Sequence, residues 1–329
     1  MRQVKNSIKT AIVGNRMLRG MLNSATGDFP KIFVYHRFAR SRQPGSDALA
    51  VDEFIWQLEQ LRSGFDVMTV AACLGHFERH GRWPKQSAIV TVDDGYRDFY
   101  DIAFPELAKR GLPATFYVTT GFIDRHVWLW PDMLEHAFSV THADSLTLDL
   151  GDGVASFPLH GGDAKRQAWS AVSSRCLKVA DHERKALIGS VLAQLGVVLQ
   201  PHPPSEYEAV TWDQLRDIGS HGIEIGSHTV SHPILSRVPL EELDREVRLS
   251  KRRLEEQLGC EVSTFCYPNS SPHDINEAVL GSVRQHYAGA VFGIDLKRWD
   301  RHMLPRMGVT EDREDFLWKL YGGESLTGG

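Results

Sequence analysis

Short apolar runs that end in polar residues, each coupled to a helical pattern, restrict the fold of this chain more than any other feature. IFVYH (32–36), DVMTV (66–70), SAIVTV with its apolar end at 88–92, and ATFYVTT (114–120) open the series. IEIGSH (223–228), STFCYP (263–268) and AGAVFG (288–293) resume it. Between them Phe54, Leu58 and Leu61 share one face, which predicts a helix over 51–63. Further helices are expected near 103–110, where Gly111 is the stop, and near 273–285. Residues 239–258 form a strongly amphipathic segment with Pro239 near its start and Gly259 at its end. Strand-then-helix alternation favours parallel strands surrounded by helices, so the expected class is α/β. A barrel gathers the C-terminal ends of its strands on one face, where active sites are built. His36, Asp93, Asp94 and His228 all stand at such ends.

The stretch 122–210 breaks the rhythm. It holds WLWPDMLEHAF, a hairpin pattern in SLTLDLGDGVASFPL, and a long helical region over 165–195 that PHPP (201–204) ends. The expectation is an inserted, mostly helical subdomain. It divides the chain into a basic amphipathic segment (1–29), a first barrel part (30–121), the insertion (122–210), a second barrel part (211–321) and a tail (322–329).

The 329 residues suffice for one large domain core, and 42% apolar with 24% charged residues is ordinary for a globular protein. A net charge of -5 argues against nucleic acid as a partner. Cys73, Cys176, Cys260 and Cys266 form no CxxC pair and are expected to be small buried thiols. In the first residues, Arg16 and Arg19 interrupt any signal-peptide core, which points to the cytoplasmic side. Val4, Ile8, Ile12 and Leu18 fall on one face of a basic helix, either resting on a membrane surface or packed on the protein.

Two elements carry the chemistry: Asp93-Asp94-Gly95 at a strand tip, and His228-Thr229-Val230-Ser231-His232. Successive side chains of a strand alternate, so two adjacent carboxylates share a site only if the backbone turns, which a following glycine permits. Histidines four apart meet on one side of a helical turn. Two imidazoles and one carboxylate leave open positions on a zinc-like ion. Alone, Asp-Asp-Gly is an ordinary turn and HxxxH an ordinary pair. Their joint occurrence after apolar strands is the signal.

TVDDG (91–95) resembles the TFDDG motif of the NodB-type polysaccharide deacetylases, carbohydrate esterase family 4, and GSHTVSHP (226–233) resembles that family's H-[ST]-x-x-H-P motif. YHRF (35–38), PATFYVTTGFI (113–123) and FCYPNS (265–270) are similar to segments of its bacterial members. The resemblance covers 30–120 and 210–310. It implies a distorted (β/α) barrel of about seven parallel strands. It implies that Asp94, His228 and His232 hold a divalent metal, zinc before cobalt or nickel, and that Asp93 is the general base. A backbone N–H near Tyr267 is expected to help hold the oxyanion.

The sequence departs from the family in two places. No arginine stands in STFCYPNS to orient the aspartate, and Arg306 in MLPRMGV is the candidate replacement. No clean copy of the family's acid histidine exists, and His302 is the nearest candidate. Trp128, Trp130 and Asp132 open the insertion. Trp128, Tyr267 and His36 are candidate substrate contacts. The implied activity is hydrolysis of the N-acetyl group of an amino sugar in a glycan or its precursor, in surface polysaccharide biosynthesis. Deformylation of a sugar amide, or a silent glycan-binding assembly role, are the alternatives.

Overall fold

The computed structural model describes residues 9–42, 46–149, 151, 153–269, 271–293 and 299–324. Among these residues, nine short strands build one sheet. They are β1 (Lys31–Tyr35), β2 (Asp66–Val67), β3 (Ser87–Val92), β4 (Thr115–Val118), β5 (Glu224–Ser227), β6 (Thr264–Cys266), β7 (Gly289–Phe292), β8 (Leu304–Pro305) and β9 (Met307–Gly308). Every pairing among them is parallel, in the order β8-β7-β6-β5-β4-β3-β1-β9, with β2 added beside β3. The last two strands are one extended stretch broken only by Arg306. Leu304 and Pro305 pair with Val291 and Phe292, while Met307 and Gly308 pair with Phe33 and Val34. One segment thus bridges both outer strands and brings the sheet round into a barrel.

Strand alternation sorts the apolar residues into two layers. Phe33, Val90, Val92, Phe116, Phe265, Ala290 and Phe292 belong to the main core, packed with the surrounding helices. Ile32, Ile89, Tyr117, Cys266, Val291 and Leu304 form a second cluster with Val70, Cys73 and Leu74 of the helix Val70–His80. That helix lies against the N-terminal ends of the strands. Its first amides donate to Thr115 Oγ1 (3.0 Å) and Glu224 Oε2 (2.9 Å). Space inside is tight: a Cβ on Gly226 would stand 2.3 Å from the Tyr117 ring.

Several expected elements differ. DVMTV shortens to Asp66–Val67, because the Thr69 hydroxyl accepts from Ala72 N and starts the helix Val70–His80. The segment 239–258 begins as the helix Leu240–Asp244, widens into a π-turn over Arg245–Leu249 and continues as Ser250–Leu258. The helical region 165–195 is two helices, Gly162–Cys176 and Asp181–Gln194. With the helix Trp130–Val140 and a hairpin of Ser145–Asp149 with Val154–Pro158, they enclose a separate apolar cluster around Leu134, Val172, Ile188 and Val191.

Cys73, Cys176 and Cys266 are buried free thiols; Cys260 is exposed just past the Gly259 helix stop. Val4 and Ile8 lie outside the described residues. Ile12 and Leu18 do not share a face, because Asn15 caps a new helix, Arg16–Thr26, by accepting from Met17 N and Leu18 N. Val13 and Leu22 pack into the main core, whereas Met17, Leu18 and Met21 are exposed. Among the described residues no helix is long and apolar enough to cross a membrane. Of the expected tail, 325–329 lies outside the described residues, while Gly323 packs so closely that a Cβ there would meet the Trp318 ring at 2.1 Å.

Candidate active site

Asp93 continues the β3 ladder, its N–H donating to Tyr35 O at 3.0 Å. The chain then turns sharply. Asp94 has φ +79° and Gly95 φ +103°. Two successive residues in this region break the alternation that would send adjacent carboxylates to opposite faces. Asp94 itself adopts the left-handed conformation, which aspartate tolerates better than most residues. Gly95 is also needed for space, since a Cβ would press on Ile123 Cδ1 at 3.1 Å and Val118 Cβ at 3.3 Å.

The two histidines do not stand on a helical turn. His228 extends the β5 ladder onto Val118 O, and an irregular loop follows in which Thr229 (φ +69°) and His232 (φ +56°) are both left-handed. The loop is held from several sides. Thr119 Oγ1 donates to His228 O, Thr120 N to Thr229 O, Gly121 N to Val230 O, and His232 N to Thr229 Oγ1. Glu246 accepts from Val230 N (2.8 Å), Ser231 N (2.9 Å) and Ser231 Oγ (2.6 Å).

This loop brings both imidazoles to Asp94. Asp94 Oδ1 lies 3.4 Å from His228 Nε2 and 3.4 Å from His232 Nε2. Two atoms bound about 2.1 Å from one ion at the tetrahedral angle stand roughly 3.4 Å apart, so the spacing suits zinc coordination. The tautomer fits as well. His228 Nδ1 is 2.8 Å from Cys266 O, so Nδ1 carries a proton and Nε2 is the atom turned to Asp94. With no ion between them Nε2–H donates to Asp94 and, against its burial, His228 is held charged; an ion bound at Nε2 would take the place of that second proton. His232 is held largely neutral, pushed down to about 4 by burial and by the neighbouring His228 charge. Burial works to raise the Asp94 carboxyl, but the His228 hydrogen bond, with the pull of the facing imidazoles, outweighs it and keeps the group ionised. Asp94, His228 and His232 therefore fit a divalent cation.

Asp93 stands next to this trio with a different partner. Arg306 donates from Nη1 to Oδ1 and from Nη2 to Oδ2, each at 2.7 Å, and Nη1 also reaches Thr91 Oγ1 at 3.0 Å. Burial would raise the Asp93 carboxyl, yet the Arg306 charge and its two bonds hold it below the usual range. The Cys266 thiol donates to Asp93 Oδ2 at 3.4 Å and accepts from Arg306 Nη2 at 3.1 Å. His36, half-exposed, has Nε2 3.8 Å from Asp93 Oδ2. His36, Asp93, Asp94, His228, His232 and Arg306 line a cleft of about 250 Å³, bordered by Leu129 and Pro131 at the start of the helix Trp130–Val140. A groove of about 1620 Å³ shares His36, Asp94 and Tyr96 with it.

Three expected site residues are placed otherwise. His302 lies before β8, at the end of the barrel opposite Asp93, and its Nε2 is 3.0 Å from Tyr287 O, so it is not at hand as an acid. Trp128 donates its indole N–H to Gln200 O and packs against His136 and Tyr207, inside the insertion rather than in the cleft. Tyr267 borders the cleft, but its ring packs on Phe265 and Phe292, and its hydroxyl donates to His302 O. Its N–H donates to Val291 O in the ladder and is not free for an oxyanion. The sequence reading missed Cys266 and Glu246 as neighbours of the site. Cys266 lay inside FCYPNS and was read as an inert thiol. Glu246 lies in the amphipathic segment 239–258, where nothing in the sequence sets it apart from the other charged residues.

Comparison with known proteins bears on the family and the fold. The polysaccharide deacetylase family pattern matches residues 80–148 and 179–288, more than half of the chain. A poly-beta-1,6-N-acetyl-D-glucosamine N-deacetylase of Staphylococcus aureus (strain MSSA476) is 26% identical over 96 residues, 29% of this chain and 33% of the relative. The match thus spans about a third of that relative's length. A Streptococcus pyogenes deacetylase, PplD, solved in complex with acetate, superposes with a TM-score of 0.58 at 18% identity, covering 90% of this chain and 99% of that one. IcaB from Ammonifex degensii superposes with a TM-score of 0.56 at 18% identity, covering 90% and 98%. These two share the barrel. On the family match, this chain belongs to the polysaccharide deacetylases.

Proposed function

We propose that the chain is a divalent-metal-dependent hydrolase that removes the N-acetyl group from an amino sugar of a surface polysaccharide or its precursor. One observation carries the reading. A carboxylate and two imidazoles converge at ligand spacing beside a second carboxylate that an arginine clamps. The relative's activity on a 1,6-linked N-acetylglucosamine polymer makes such a polymer the first substrate to try.

Asp94, His228 and His232 would hold a divalent cation, zinc by the donor set, whose charge would polarise the amide carbonyl and acidify water. Asp93 accepts the proton of the attacking water. The Arg306 fork fixes the plane of that carboxylate and keeps it ionised for the task. His36, at the mouth of the cleft and facing Asp93, is the imidazole placed to protonate the departing amine. Acetate and a free amino sugar result.

The test is acetate release from 1,6-linked N-acetylglucosamine oligomers by zinc-loaded protein, with formate release from N-formyl analogues run in parallel. Asp93→Asn is expected to bind zinc and release no acetate. Undiminished turnover by Asp93→Asn, or by chelated protein shown to be free of metal, overturns the reading.

A further inference from the structure

The hydrolysis described above leaves unused a buried pair where the insertion meets the barrel. Asp132 stands in the first turn of the helix Trp130–Val140, and Tyr96 directly follows the Asp93-Asp94-Gly95 turn. The Tyr96 hydroxyl lies 2.8 and 2.9 Å from the two oxygens of Asp132. Asp132 is 4% exposed and Tyr96 5%. A tyrosine brings one hydroxyl hydrogen, whereas a carboxyl group offers about four lone-pair directions. Among the described residues, the Tyr96 hydroxyl is the one hydrogen-bond donor to Asp132. Arg37 lies over the Tyr96 ring at 4.1 Å, but its guanidinium is committed to Asp98 and to Glu206 O.

The unused acceptors are not sealed in the core. Asp132 lines the large groove, and Tyr96 lines both that groove and the catalytic cleft. A carboxyl with spare acceptors in a dry wall favours a ligand bearing neutral hydroxyl donors. Glu135, on the same helix face, lines the groove too and adds a second carboxyl to this wall. An amino sugar has the right form, with an amide on one side of the ring and hydroxyls beside it.

We propose that Asp132, held by Tyr96, binds ring hydroxyls of the sugar that carries the scissile N-acetyl group, so that the insertion supplies a specificity subsite. This rests on the deacetylase reading. With the amide at Asp93 and Asp94, the ring extends past Tyr96 and offers its hydroxyls to Asp132. A site built to bond a hydroxyl discriminates against the analogue that lacks it.

The experiment measures acetate release by wild type, Asp132→Asn and Asp132→Leu. The substrates are N-acetylglucosamine oligomers and their 3-deoxy and 4-deoxy analogues. In wild type, one deoxy analogue is expected to raise KM about tenfold with kcat little changed, the size of one lost hydrogen bond. In Asp132→Leu the parent oligomer should show that raised KM, and the deoxy penalty should vanish. Zinc content and Tm are read for each variant. Asp132→Asn keeps the side-chain volume, and it carries the test if the leucine variant does not fold; there the penalty should shrink at least about threefold. A deoxy penalty that persists undiminished in the folded variants, an unchanged parent KM, or a loss confined to kcat overturns the subsite. Wild type that releases no acetate from any oligomer instead removes the deacetylase reading, and the subsite with it.

Discussion

Arg306 and Asp93, 213 residues apart, meet through two parallel N–H···O bonds inside the barrel. The arginine lies on the stretch that hydrogen-bonds to β7 on one side and β1 on the other, so closing the sheet also aims the guanidinium. Lysine keeps the charge but cannot form the fork. Arg306→Lys is expected to fold, to bind zinc as wild type does, and to lose kcat by roughly 10–100-fold with little change in KM. Arg306→Ala leaves a buried carboxylate unpaired, a change that costs about 3–5 kcal/mol. Its Tm should fall by on the order of 10 °C. A lysine variant with wild-type kcat would refute the positioning role.

Metal content separates the two aspartates. Asp94, His228 and His232 present ligand atoms within 4.8 Å of one another; Asp93, His228 and Cys266 do so too, but there the carboxylate is already forked to Arg306, whose positive charge opposes a cation. Asp94→Asn, His228→Ala and His232→Ala should each lose bound zinc and acetate release together. Asp93→Asn should lose acetate release alone. Chelation of wild type should abolish activity, and zinc should restore it. Elemental analysis after dialysis, paired with the acetate assay, checks both; equal zinc content in all four variants would contradict the assignment.

The barrel was legible because its strands are almost wholly apolar and end in polar residues. That pattern survives without tertiary context. Asp94, His228 and His232 were legible as residues but not as geometry: the expected helical turn of HxxxH is a loop with two left-handed residues, and no local signal marks Thr229 or His232 for that conformation. Arg306 was reached only by the lack of an arginine elsewhere, because the two-residue strands around it are too short to show periodicity. His302 was misplaced for the same reason. It precedes β8, and without knowing where that strand begins its end of the barrel cannot be assigned. Trp128 was read as a sugar platform from its type alone, but its N–H and ring are spent on Gln200, His136 and Tyr207.

Asp132 also makes a pH prediction. Burial pushes its carboxyl up to about 8, and the Tyr96 hydrogen bond and the Arg37 charge offset this only in part, while Asp94 and Glu135 add to it. Between about pH 4 and pH 8 the folded protein therefore keeps a proton that the unfolded chain releases. The folded state binds more protons in that window, so this group's contribution to stability falls as pH rises. The cost is absent below about pH 4 and complete above about pH 8. Asp132→Asn has no such titration. The Tm of the variant minus that of wild type should grow steadily from pH 5 to pH 8 in calorimetry. A difference that stays flat across that range would show Asp132 to be ionised throughout.

Glu246 tests whether the histidine loop is prearranged for its ion. Its carboxylate gathers two backbone amides and a hydroxyl from Val230 and Ser231, between the two histidines. It projects from the π-turn Arg245–Leu249, where the helix widens. Glu246→Ala leaves the Val230 and Ser231 amides without this acceptor and frees a loop that holds Thr229 and His232 at positive φ. Groups that orient metal ligands typically contribute about 10–100-fold in affinity. Glu246→Ala is expected to weaken zinc binding by that factor in competition with a chelating dye. At saturating zinc, kcat should return to within about threefold of wild type, because Asp93, Arg306 and His36 are untouched. Wild-type zinc affinity in Glu246→Ala would show that the barrel alone holds the loop, and a kcat that excess zinc does not rescue would place Glu246 in the chemistry itself.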